Sequence, residues 1–443
     1  MTGPRTSSIP VRLPARTEDV VLHLIGSLSE PLIHAVLDYD APLDGPRLGR
    51  ALRLLLDAEP VLGCRFVARH LFPYWQRLAP AELDAAPLLR ERRAATGEWE
   101  GQARAFMAEP LPGDAGPRLA ALWLPGEHGD RLVLKVHHQV ADAGATKELA
   151  YRLAEIYRAL GDDPDHHPLP RLGSRSLRQV FWPLLPGGLP ALLRRILHDT
   201  WTSAFPLRHL QLPMGGAKVG SPIFQTLHLP AERLALIRAT APDATVNDLV
   251  CAAVLRALAA CAPWNGRDTL RLWGTVDLRR YLPSRRADGL CNLSGFMYQN
   301  LGPHLGESYG DTVQRVKATT DAIKAVMPGL GYPLTSWMIM GPLPFGLLDG
   351  IMPLLRRVML QKMPPVLTNM GAIDGAALAL GHPNLRAAHL VVPTSHPPGL
   401  ILGVSGFRGG LTMSVGHFAS ALSSAVMAAL FARIDRELPG GEG

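Results

Sequence analysis

Two histidines, His137 and His138, and an aspartate, Asp142, stand together in RLVLKVHHQVADAGATKELA, residues 131–150. An imidazole titrates near neutral pH, so it can take up and return a proton under ordinary conditions. The run before the histidines alternates and predicts a strand, on which successive side chains point to opposite faces. Leu132, Leu134, Val136 and His138 then share one face, and Arg131, Val133, Lys135 and His137 the other. His138 extends an apolar face at the point where strand gives way to loop, a place where rigid scaffolds commonly present chemistry. The bland alternative is a pair of hydrogen-bonded structural histidines. A second pair, His166-His167 in DDPDHHPLP, follows no strand and is assigned no chemistry. A metal site at the first pair is disfavoured, because adjacent side chains on a strand diverge and spacing places no third ligand.

The elements that must hold this loop are legible on either side of it. PLIHAVLDYD reads as a strand. LDGPRLGRALRLLLDAEP reads as a helix with Asp44 as its cap, Pro46 in its first turn, and Leu48, Leu52 and Leu55 on one face. PVLGCRFV turns into another strand, and RLAALWLPGEHGDRLVLKVHH reads as a hairpin. After the histidines, Leu149, Leu153, Ile156, Tyr157 and Leu160 form one helical stripe expected to end at Gly161. Residues 162–222 are richer in turns and read as an interdomain connection with one or two short helices. Its Leu/Arg mixture is expected to pack across a domain seam, with lipid contact the less favoured reading. Beyond it, TVNDLVCAAVLRALAAC opens with a capping box, Thr245 with Asp248. DTLRLWGTVDLRR alternates as a strand, LILGVSGFRGGLTMSVGHF reads as a hairpin closed around Gly409-Gly410, and a last helix is expected from Ala419 to Arg436. No short repeat is present, although both halves mix strands with covering helices. The expected division is an N-terminal lobe at 1–170, a connection at 171–222 and a C-terminal lobe at 223–443.

Composition bounds the function classes. The 443 residues are 47% hydrophobic and 19% charged, an ordinary globular balance with room for two or three cores. The net charge of +7 suits an acidic or phosphate-bearing partner. No basic stripe is interleaved with aromatics, so nucleic acid is not expected as a partner. Cys64, Cys251, Cys261 and Cys291 form no C-x-x-C pair and read as buried, reduced thiols of a cytoplasmic protein. The first twenty residues have no apolar signal core. The apolar stretch at 337–360 is interrupted by Pro342, Pro344 and Asp349, against a membrane span. It reads as a buried helix pair before it reads as a greasy lid or channel wall.

HHQVADAG resembles the HHxxxDG motif of the condensation-domain and chloramphenicol-acetyltransferase-like superfamily. LDGPRLGRALRLLLDAEPVLGCRFV, TVNDLVCAAVLRAL, VDLRRYLP and VLTNMGAIDG are similar to further segments of that superfamily, in the same order. The resemblance spans roughly Pro14 to Arg436 and is nearest to stand-alone condensation-like, polyketide-associated and wax-ester-type acyltransferases. It implies an α/β (α+β) fold of two chloramphenicol-acetyltransferase-like lobes, each a mixed sheet covered by helices, with a channel between them. It implies His138 as the catalytic residue and His137 as a supporting one. Asp142 would anchor the loop through Arg279 of VDLRR, and Asn369 of LTNMG would line the channel. The motif glycine is replaced by Ala143. Gly144 would then supply positive φ or close backbone approach one position later.

The implied reaction is acyl transfer from a thioester to a small amine or alcohol, giving an amide or ester. His138 would act as general base or by positioning the acceptor. A thioester is already activated, and no nucleophile elbow G-x-S-x-G is present, so direct transfer without metal or covalent enzyme intermediate is expected. Thr368 or a nearby backbone N–H is the candidate oxyanion donor. No cofactor is expected to be held permanently. The donor would carry a phosphopantetheine arm, on coenzyme A or, preferred, on an acyl or peptidyl carrier protein. The alternatives are a non-catalytic module that docks a carrier protein or synthetase, which Ala143 would suit, and an epimerase-like relative.

Overall fold

The strand that delivers the histidines, Arg131–His137, is the middle strand of a five-stranded mixed sheet in the computed structural model. The structure describes residues 9–441 apart from 205–207, 216–217 and 382. The expectation for the N-terminal stretch therefore lies partly outside the described residues, as does that for the loop at 212–222. The sheet runs Leu385–Val391, Leu32–Tyr39, Arg131–His137, Leu119–Leu124, Leu89–Glu91. Leu32–Tyr39 and Leu119–Leu124 flank the histidine strand, both antiparallel to it, so the expected hairpin is present. Leu132, Leu134 and Val136 face one core with Leu52, Leu55, Leu149 and Leu153 from the two covering helices. Those helices are Gly45–Ala58, capped by Asp44, and Ala143–Asp162, capped by Asp142. Gly161 lies inside the second helix and does not end it. The other sheet face is buried as well: Val36 and Val133 pack with Trp99, Phe106 and Phe224. Lys135 is enclosed there, its ammonium donating to the carbonyls of Phe106 and Glu109.

A second, six-stranded sheet runs Ser294–Asn300, Arg271–Asp277, Val366–Ala372, Ile401–Phe407, Gly410–His417, Ile223–Leu229. Helix Val246–Cys261 covers it, starting at the expected Thr245/Asp248 capping box. Helix Ser424–Glu437 packs beside that helix and is capped by Ser423, so it starts later than the expected Ala419. The last hairpin turns at Arg408 and Gly409, with φ of 46° and 81°, and Phe407 pairs with Gly410. Two consecutive positive φ values match a turn that follows the right-handed strand twist. The turn thus sits one residue before the expected Gly409-Gly410. Each sheet is mixed and helix-covered, as expected of both lobes. One strand crosses back: Leu385–Val391, C-terminal by position, completes the N-terminal sheet beside Leu32–Tyr39.

The connection is more ordered than its composition implies. Arg171 donates to Glu59 Oε1 at 2.9 Å and to the Ala287 carbonyl at 2.8 Å. Arg175 grips Asp19 through two bonds of 2.7 and 3.0 Å and donates to the Leu290 carbonyl at 2.8 Å. These arginines tie the first lobe to residues 287–290 of the second. A 20-residue helix, Leu185–Ala204, follows where short helices were expected. The stretch at 337–360 forms parts of helices Gly331–Met340 and Phe345–Lys362, and Leu347, Ile351 and Leu354 on the second are exposed.

Glu18, in helix Thr17–Ile25, accepts a bond from Leu177 N at 2.9 Å, while its Oε2 is buried with no partner. Burial, reinforced by the neighbouring Asp19 and only partly offset by Arg175, pushes its pKa from 4.5 up to about 7. A raised acid holds its proton in the fold where the unfolded chain has released it. Its contribution to stability is therefore full below about pH 4.5 and is lost as pH rises through 7. Urea unfolding at pH 5 and pH 8 checks this. Glu18→Gln should gain on the wild type by about 1–3 kcal/mol more at pH 8 than at pH 5. An equal difference at both pH values would contradict it.

Candidate active site

Asp142 is the point where the histidine loop meets the second lobe. Its carboxylate caps helix Ala143–Asp162 by accepting from Ala145 N at 2.8 Å. It also accepts from Leu293 N at 2.6 Å and faces Arg279 Nη1 at 3.0 Å. Arg279 in turn donates to the Cys291 carbonyl at 3.1 Å and lies within 3.2 Å of Asp277. Its Nε is 3.2 Å from Glu148, an ion-pair contact without hydrogen-bond alignment. Both members of the central pair are nearly sealed, at 2% and 4% exposure. Burial alone would raise the Asp142 pKa. Arg279 and the backbone N–H groups of Ala145 and Leu293 outweigh it and hold the carboxyl below its usual range. Burial opposes the Arg279 charge too, but Asp142, Asp277 and Glu148 together keep it firmly protonated.

Gly144 serves this pair by close approach. Neither Ala143 nor Gly144 has positive φ, so the expected freedom of the second glycine is not used. A Cβ at 144 would instead lie 2.7 Å from Arg279 Nη1 and 3.2 Å from Asp277 Oδ2. Ala143 is the first residue of an ordinary helix.

The two histidines lie in a tight turn in which Val140 N donates to the His137 carbonyl at 3.0 Å. The strand ends at His137, so His138 belongs to the turn and does not continue the apolar face. His137 N donates to the Arg118 carbonyl at 3.0 Å, and His138 N donates to the Pro31 carbonyl at 2.7 Å. His137 Nδ1 accepts from Gln139 N at 3.1 Å, which leaves its proton on Nε2. Burial, with Arg118, His138 and His23 nearby, pulls its pKa down to about 3, so the ring is neutral. His138 Nδ1 lies 3.0 Å from the Ala141 carbonyl oxygen. A carbonyl accepts only, so Nδ1 carries a proton, and in the neutral ring Nε2 is the nitrogen with the lone pair. Among the described residues, no hydrogen bond engages that Nε2, and the residue is half-buried.

Gln139 was not singled out from sequence. Its side-chain amide donates to the Asp19 carbonyl at 3.2 Å, and its backbone carbonyl accepts from Asn292 Nδ2 at 3.0 Å. Nothing local marks Asn292 or Leu293 as partners of a loop that far upstream. Thr368 and Asn369 lie on strand Val366–Ala372, which meets the helix of Asp142 where Lys147 donates to the Ala372 carbonyl at 3.1 Å. Thr368 Oγ1 is 2.6 Å from Thr275 Oγ1. Asn369 is exposed and accepts from Gly371 N at 2.9 Å. No hydrogen bond joins either residue to the histidine turn among the described residues. Two small clefts lie against Lys135 and His34 respectively, and neither borders His138.

No family model matches the chain, and no curated protein matches it. Solved structures do. The first condensation domain of the calcium-dependent antibiotic synthetase, in complex with a substrate analogue, is 20% identical. The match covers 99% of this chain and 98% of that one at a TM-score of 0.71. The trichothecene 15-O-acetyltransferase TRI3 from Fusarium sporotrichioides is 12% identical over 96% of this chain and 94% of its own, at 0.69. The starter condensation domain of rhizomide synthetase RzmA, in complex with C8-CoA, is 16% identical over 96% and 92%, at 0.64. The chain has the two-lobe fold of condensation domains and chloramphenicol-acetyltransferase-like acyltransferases.

Removing one member of the buried pair leaves an uncompensated charge. Arg279→Met should destabilise the protein by about 3–5 kcal/mol. The double variant Asp142→Asn/Arg279→Met should recover a large part of that loss. Denaturant titration of the four-member cycle measures the coupling, and strictly additive losses would contradict it.

Proposed function

We propose that the protein transfers an acyl group from a phosphopantetheine thioester to an amine or hydroxyl, with His138 as the general base. The observation that carries this reading is the 3.0 Å contact from His138 Nδ1 to the Ala141 carbonyl, which presents Nε2 as a proton acceptor. In the reaction, Nε2 takes the proton of the acceptor as its nitrogen or oxygen attacks the thioester carbonyl. The new C–N or C–O bond forms, the C–S bond breaks, and the imidazolium returns its proton to the leaving thiolate. The carbonyl oxygen regains its double bond, so no oxidant or reductant is needed. His137 is the supporting residue: it is neutral and holds the turn by accepting from Gln139 N. Asp142 and Arg279 keep their charges and fix the loop, with Gly144 admitting the guanidinium.

The donor is assigned to the pantetheine-thioester class, on a carrier protein or on coenzyme A, with the carrier form favoured. The RzmA domain in complex with C8-CoA lends support to an acyl thioester as the ligand of this fold. The ordinary helical geometry of Ala143 supports reading the substitution as compatible with catalysis.

His138→Ala should lower kcat by about 10²–10⁴-fold with the fold intact. Asparagine at 138 should not restore the rate, because an amide cannot accept the proton. Turnover of acyl-carrier and acyl-coenzyme A donors with a common amine acceptor, followed by mass spectrometry, checks both points. A His138→Ala enzyme with near-normal kcat at saturating substrate would overturn the assignment. Transfer from the coenzyme A form alone would overturn the donor preference.

A further inference from the structure

The helices beside the lobe seam carry apolar side chains on the side turned away from the core. Helix Leu185–Ala204 exposes Leu189, Leu193, Leu197 and Trp201 at four-residue steps, with Leu197 71% exposed. Its inner side is already occupied by Leu192 and by the buried Arg195–Asp199 ion pair. Helix Phe345–Lys362 repeats the pattern. Phe345, Leu348 and Met352 enter the core, while Leu347, Ile351 and Leu354 point outward, the last 71% exposed. A surface helix ordinarily pairs one apolar face with one polar face. Here the outer face is apolar too.

The two helices are linked through a third. Helix Gly331–Met340 lies along Leu185–Ala204, with Tyr332 OH donating to the Asp199 carbonyl at 3.0 Å. It leads through the turn at 341–344 into Phe345–Lys362. The 68–73 loop docks on the first turn of that last helix through Gly346 N to the His70 carbonyl at 2.8 Å. Leu71 and Phe72 come with it, and Phe72 is 82% exposed. Trp182 precedes the long helix and Trp201 lies in its last turn, and both are exposed. Among the described residues on or just before these segments, the exposed charges are mainly basic: Arg69, Arg178 and Arg194 against Asp349.

We propose that this face rests on an anionic lipid bilayer. Exposed apolar rows of this kind mark interaction sites. Helices with leucine rows, tryptophans and flanking arginines suit the bilayer interface, where the indoles sit at headgroup level and the guanidiniums meet phosphates. No helix among the described residues is long and apolar enough to cross a membrane, so the contact is superficial. A second copy of the chain would bring the same arginines together. An acidic soluble protein would answer the arginines but leave the leucine rows against a charged surface.

Flotation of the full chain with vesicles tests the proposal. The protein should bind mixed phosphatidylcholine–phosphatidylglycerol vesicles about tenfold or more tightly than pure phosphatidylcholine. Leu193→Glu/Leu354→Glu should weaken that binding by about tenfold or more. Both positions are exposed, so circular dichroism should be unchanged. Leu236→Glu, at an exposed leucine on helix Ala231–Ala239, should bind like the wild type. Absence of binding to the anionic vesicles, or equal loss in the Leu236 control, would overturn the proposal. So would light scattering that shows a lipid-free dimer dissociated by the double variant, since the face would then belong to a second copy.

Discussion

The structure depends on one buried ion pair, Asp142 with Arg279, placed between the two lobes. Taking both charges out of water is costly, and the pair is tolerated because every strong acceptor direction of the carboxylate is used. Ala145 N closes the helix, Leu293 N brings in the second lobe, and the guanidinium neutralises the charge. The same carboxylate therefore starts the helix, ends the histidine turn and fixes the lobe opposite. Arg175 with Asp19 and Arg171 with Glu59 repeat the device along the connection. The lobes are held by arginines at the seam, and the turn between them inherits that rigidity.

Within the turn, two neighbouring imidazoles are held in opposite tautomers by backbone groups. A donor, Gln139 N, faces His137 Nδ1; an acceptor, the Ala141 carbonyl, faces His138 Nδ1. The first ring is neutral by burial and does structural work. The second is half-buried, and its neutral form carries the lone pair on Nε2. The chemical difference between the two comes from where the turn places one N–H and one C=O, and not from the rings themselves.

What is decided locally was legible in the sequence. The histidine strand, the hairpin before it, the Asp44 cap and the Thr245/Asp248 capping box rest on periodicity or on bonds within a few residues. What is decided at long range was not. Leu385–Val391 pairs with Leu32–Tyr39, a choice made by sheet completion and not by its own pattern. Asn292 and Leu293 meet the loop across 153 and 151 positions, and no spacing announces them. Arg279 was reached through resemblance alone. The reason for Gly144 becomes visible only once Arg279 stands against it. The turn-rich composition of 162–222 suggested short helices, yet Leu185–Ala204 runs as one helix packed on Gly331–Met340.

The central claim is that His138 presents an unprotonated Nε2 because Ala141 holds the proton on Nδ1. Nitrogen-15 correlation spectra of histidine-labelled protein, assigned with the His138→Ala variant, read the tautomer of each ring directly. The expected result is a protonated Nδ1 and a pyridine-like Nε2 at His138, with the reverse at His137. A His138 ring protonated on Nε2 in the free protein would contradict the account.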